Sequence, residues 1–196
     1  MNAPRAGAAG QLARWISIAG HPFAVAALLV GLAASRQRTA ADATRLLLLV
    51  VGIIILPLFI YMWRKWRSGQ WTTIDASRST DRPPFYRTAL LLIGVLTVLF
   101  FAMSESAAML RGCIAVAVLV LLLAILNRWI KLSNHMAFAI FAAVLMTSFA
   151  TKWALALAIF APALAWSRLA LGRHTVAEVL GGALLGAAVA AVTLVA

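Results

Sequence analysis

The stretch SRLALGRHTVAEVLGG, residues 167–182, places Arg168, Arg173, His174 and Glu178 close together in a chain that is otherwise mostly apolar. His174 and Glu178 are four residues apart, so on a helix they share a face. A carboxylate held against one imidazole nitrogen fixes the tautomer and leaves the other nitrogen to act as nucleophile or base. Arginines contribute planar, permanently charged donor forks that match phosphate oxygens. Two further stretches carry comparable groups: RKWRSGQWTTIDASRSTDRPPFYR at 64–87, which contains Arg82, and NRWIKLSNH at 127–135, which contains His135. His135 has the chemistry of a general acid toward a leaving oxygen. Arginine clamp, oriented histidine and second histidine together read as phosphoryl transfer through a covalent histidine. The third histidine, His21 in AGHPF, stands apart from these stretches and reads as structural.

The elements that must position these groups are membrane helices. Of 196 residues, 64% are hydrophobic and 11% charged, far from the composition of a soluble domain. Seventeen Lys and Arg against five Asp and Glu give a net charge of +12. The cations are scattered between apolar runs rather than gathered on one polar domain, which points to anionic lipid or a phosphate-bearing substrate and away from nucleic acid. Apolar runs fall at about 15–35, 46–63, 88–104, 112–130, 136–150, 153–167 and 175–196, and helices are expected because a lone strand in lipid leaves its backbone unpaired. The expected fold is all-α, a single membrane-embedded domain over 1–196 built as a polytopic bundle of six to seven spanning helices. The fifth and sixth runs are short for a crossing, and extension into their flanks would set Lys131, His135 and Arg168 at helix ends. If all seven runs cross, the stretches at 64–87, 127–135 and 166–178 emerge on one face. Cys113, the one cysteine, lies within an apolar run, so neither a disulfide nor a thiol zinc site is available, and no metal or other cofactor is expected.

Three of these stretches resemble, in order and spacing, the signatures of the type 2 phosphatidic acid phosphatase family. SRLALGRHTVAE is similar to the family's third signature, with Glu178 where the family has aspartate. LSNH is similar to the second, keeping Ser133 and His135. DASRSTDRP is similar to the first, keeping Arg82 and Pro83 but carrying Asp75 in place of lysine. The motif core covers about residues 75–182. The resemblance implies a metal-independent phosphatase in which His174 attacks phosphorus, Glu178 orients it, His135 protonates the leaving group, Arg82 and Arg168 hold the phosphoryl oxygens and Ser133 adds a donor. Asp75 cannot donate to phosphate, so the missing cation falls to Lys131, four residues before His135 and so on the same helical face, in preference to Arg78 in the loop.

The expected activity is therefore hydrolysis of a lipid phosphate or diphosphate such as a polyprenyl phosphate or diphosphate, phosphatidate or phosphatidylglycerophosphate. Two other functions fit parts of the sequence: a degenerate member that binds anionic lipid without turnover, and an anion channel or transporter lined by the same arginines. The partners expected are the bilayer and a lipid substrate with a phosphate headgroup, in a bacterial inner or plasma membrane; the sequence carries no signal for oligomeric state. Twelve of the seventeen cations fall on the motif face and five, Arg36, Arg38, Arg45, Arg111 and Lys152, on the other, which leans the motif face toward the cytoplasm. Arg64, Lys65 and Arg67 read as interfacial anchors, and Trp63, Trp66, Trp71, Trp129, Trp153 and Trp166 as an aromatic belt. The small residues of GGALLGAAVAA suit close helix packing.

Overall fold

The computed structural model describes residues 7–37, 39–73, 75 and 79–195. Among these residues the chain is mostly helical, without strands, and six segments are long and apolar enough to cross a membrane. The first, Ala8–Arg36, is broken at Gly20-His21 into α1 (Ala8–Ala19) and α2 (Pro22–Gln37). The second runs as α3 (Ala40–Val50), a π-helical turn (Val51–Ile55) and α4 (Leu56–Arg67). Then come α5 (Arg82–Ala102), α6 (Ala107–Leu126), α7 (Asn134–Met146), α8 (Thr151–Ala170) and α9 (Val176–Val195).

The two short runs behave differently. The sixth extends at both ends into the 20 residues of α8, carrying Arg168 in its last turn. The fifth starts two residues ahead of its apolar run, at Asn134, but stops at Met146, four residues short of the run's end, so it gains no length. At 13 residues α7 rises only about 20 Å, Lys131 lies before it, and His135 is its second residue. Its shortness is tolerated because α2, α8 and α9 pack around it, so most of its residues are buried and little of it meets lipid. Phe141, Ala142 and Met146 are among the most enclosed side chains in the chain.

Close approach of α7 and α9 sets the frame for the polar end. A Cβ on Gly186 would overlap the carbonyl oxygen of Ala137, and one on Gly182 would overlap that of Ser133. Both obstacles are backbone, so only glycine lets α9 lie this near to α7. The small residues of the last helix are thus packing residues, as their pattern suggests. The tryptophans mostly behave as a belt: Trp63, Trp66, Trp129, Trp153 and Trp166 are exposed. Trp71 departs from that expectation, being buried against Met62 with its ring edge-on to Tyr61.

Candidate active site

Residues from all three polar stretches meet at one end of the bundle. The turn after α8 begins this convergence. Gly172 has φ +62°, a left-handed conformation that closes the helix and lets the amides of Arg173 and His174 both bond back to the Arg168 carbonyl. His174 is thereby set just ahead of α9. Thr175 and Glu178 then form a reciprocal cap, the Thr175 hydroxyl accepting from the Glu178 amide at 3.3 Å and the Glu178 carboxylate accepting from the Thr175 amide at 3.1 Å. The same carboxylate oxygen stands 3.0 Å from His174 Nδ1.

A second acceptor fixes the chemistry of this ring. The Lys131 carbonyl oxygen lies 3.2 Å from His174 Nδ1. Both partners can only accept, so Nδ1 carries the proton and Nε2 holds the lone pair. Burial, then the positive charges of Arg82, Arg168 and Lys131, lower the His174 pKa to about 4, against the opposing pull of Glu178. The imidazole is therefore neutral at neutral pH.

The two arginines are held by different elements. Arg82, at the start of α5 and buried, donates from one terminal nitrogen to Asn127 Oδ1 and to the Leu132 carbonyl, the latter at 2.8 Å. Asn127 also donates to the Tyr86 hydroxyl at 2.9 Å, and that hydroxyl donates to Asn134 Oδ1 at 2.7 Å. Arg168, 3% exposed, donates to Ser17 Oγ at 2.5 Å and to Asp75 Oδ2 at 3.2 Å. Its Nε is buried without a hydrogen-bond partner among the described residues. Arg173 reaches Asp75 at 3.9 Å. Burial opposes ionisation of Asp75, but Arg173 and Arg168 outweigh it and hold the carboxyl below its ordinary pKa.

These groups edge a cavity of about 470 Å³. Its polar end is lined by His21, Asp75, Arg82, His135, Arg168 and His174. From there it continues between helices past Phe23, Leu58, Ile93, Val116 and Phe138, and it reaches Phe100 at the far end of α5. Arg82 and Phe100 are 18 residues apart on one helix, a rise of about 27 Å, so the cavity runs through much of a bilayer's thickness. Among the described residues no three His, Cys, Asp or Glu side chains are grouped to hold a metal ion.

The chain matches no family model, no characterised protein and no solved structure.

Of the residues singled out in the sequence, Arg82, His135, Arg168 and His174 line this cavity together, and Glu178 backs His174. Ser133 is fully buried as the cap of α7, accepting from the Met136 amide at 3.5 Å, and its own amide donates to the Glu178 carbonyl at 3.0 Å. Lys131 lies ahead of α7 and so does not share a helix face with His135 as its spacing suggested; it acts on His174 through its carbonyl, and its side chain is not part of the cavity lining. Arg78 lies outside the described residues. Several site residues were not legible in the sequence: Asp75 as the partner of Arg168, the Asn127–Tyr86–Asn134 network, and Ser17. Tyr86 carried a usable signal, since it stands four residues after Arg82 and so shares its helix face. His21 differs most from its sequence reading, because it lies beside His135 rather than apart.

Proposed function

We propose that this chain is a membrane-integral, metal-independent lipid phosphate or diphosphate phosphatase working through a phosphohistidine. The observation that carries the reading is the double acceptor at His174 Nδ1, which leaves an Nε2 lone pair on a neutral ring beside a cavity that also holds Arg82 and Arg168. The Nε2 lone pair attacks phosphorus and the bond from phosphorus to the lipid-side oxygen breaks. His135, entering this step as the imidazolium, gives a proton to that oxygen and is left neutral. Water then attacks the phosphohistidine, His135 recovers a proton from it, the N–P bond breaks and inorganic phosphate leaves. Glu178 steadies the positive charge that His174 acquires in between. The long apolar limb of the cavity suits a lipid tail; Arg36 and Arg111 also line the cavity, but the apolar stretch past Phe23, Leu58, Ile93, Val116 and Phe138 argues against an ion pathway, which needs polar groups along its depth. The charge asymmetry of the loops supports a site on the cytoplasmic face.

One observation favours the binding-only alternative: Asp75 already occupies part of Arg168. Turnover separates the two. Purified protein in detergent is expected to release inorganic phosphate from polyprenyl diphosphate, polyprenyl phosphate, phosphatidate or phosphatidylglycerophosphate in the presence of EDTA, and His174→Ala is expected to release none while keeping its thermal unfolding temperature. Activity above a tenth of wild type in His174→Ala overturns the phosphohistidine route. Absence of turnover on the whole panel, with retained binding of the same lipids, favours the alternative.

A further inference from the structure

The break between α1 and α2 brings a third histidine to the site. Gly20 sits against the Leu164 side chain, where a Cβ would collide with both terminal methyl groups, and Pro22 opens α2 with the φ its ring imposes. Between them, His21 caps α2: its Nδ1 accepts the Phe23 amide at 3.2 Å. An Nδ1 that accepts cannot carry the proton of a neutral imidazole, so in His21 the proton is on Nε2. This is the opposite tautomer to His174, whose Nδ1 faces two acceptors. The His21 ring stands edge-to-face with His135 at 5.3 Å between centroids and lines the polar end of the cavity with Asp75 and Arg168.

The arginines leave room for another donor. Arg168 spends its terminal nitrogens on Ser17 and Asp75, and one terminal nitrogen of Arg82 is given to Asn127 and Leu132. A phosphoryl group passing between oxygen and nitrogen presents three non-bridging oxygens whose charge must be matched. We propose that His21 is a catalytic residue of this site, donating its Nε2–H to a non-bridging phosphoryl oxygen and keeping that proton throughout. The proposal rests on the phosphatase reading. It does not change the path of any proton or bond in that reaction.

A purely capping histidine and a donor histidine respond differently to two substitutions. In His21→Asn the side-chain oxygen stands near the former Nδ1 and keeps the cap, but nothing reaches the position of Nε2. In His21→Gln the amide nitrogen reaches the position of Nε2 at the expense of the cap. The expected result is that His21→Asn unfolds at the wild-type temperature, keeps KM within a few-fold and loses about a hundredfold in kcat, the range for losing one preorganised oxyanion donor. His21→Gln is expected to unfold at a lower temperature and to keep kcat within about tenfold. The reverse pattern, an active Asn variant and an inactive Gln variant, overturns the proposal and leaves His21 as a cap. Stabilisation by orthovanadate is the second readout, and it separates this proposal from the reading beneath it. If the wild type releases no phosphate, the phosphatase reading fails; stabilisation of the wild type and of His21→Gln but not of His21→Asn then still upholds the donor. Equal stabilisation of all three proteins, or none of the wild type, overturns it.

Discussion

Replacing Glu178 by glutamine tests how the charge and the geometry at His174 divide the work. The substitution keeps an acceptor oxygen for Nδ1 and a cap for the Thr175 amide, so the helix start survives. The Lys131 carbonyl at 3.2 Å also continues to hold the proton on Nδ1. What is lost is the negative charge that faces the imidazole as it becomes cationic. With the charge centres about 4 Å apart and an effective dielectric near 20, that attraction is about 4 kcal/mol. The Glu178 side chain is 19% exposed, and screening by water halves the benefit to about 2 kcal/mol, or about thirtyfold in rate. The assay is the initial rate of phosphate release from polyprenyl diphosphate in detergent micelles, with the acid-labile phosphohistidine trapped in parallel. An imidazole that loses control of its tautomer forfeits about 10⁴ in kcat. A loss of that size would therefore refute the claim that the Lys131 carbonyl independently fixes Nδ1–H. A loss under about threefold would refute the electrostatic role of Glu178.

Three further outcomes are expected. Because the His174 pKa lies at about 4 and only the neutral ring attacks, the acid limb of kcat/KM should fall at about pH 4; Lys131→Met, by removing a cation that depresses it, should move that limb upward and cost less than tenfold in kcat, and an acid limb already near 6.5 in the wild type would contradict the burial argument. Asp75→Asn should release Arg168 for substrate, lowering KM several-fold, while the unfolding temperature drops because a buried guanidinium loses its counter-charge; an unchanged KM in a folded variant contradicts the competition between Asp75 and phosphate. Gly186→Ala should destabilise the protein by about 1–3 kcal/mol, read as a lower melting temperature in detergent, since the opposing group is backbone that cannot turn aside; an unaltered melting temperature means α7 and α9 can separate freely.

Local periodicity and composition were enough to establish what kind of molecule this is. Apolar runs of bilayer length dictate helices, because backbone groups in lipid must pair within their own segment. The four-residue step from His174 to Glu178 anticipates their contact, although His174 sits just ahead of α9 and the Thr175–Glu178 cap, not helical pitch alone, holds the carboxylate against it. The alternation of crossings even brings three polar stretches to one end before any contact is known. What it could not fix are contacts between helices distant in sequence: Asp75 to Arg168 across 93 residues, Arg82 to the Leu132 carbonyl across 50, and the ring of His21 against that of His135. These depend on how closely helices approach one another, as Gly182 and Gly186 set the approach of α9 to the backbone of α7. The tautomers of His174 and His21 belong to the same category. A sequence states that an imidazole is present, but which nitrogen holds the proton is decided by the acceptor or donor that folding delivers to Nδ1: two acceptors at His174, a backbone N–H at His21.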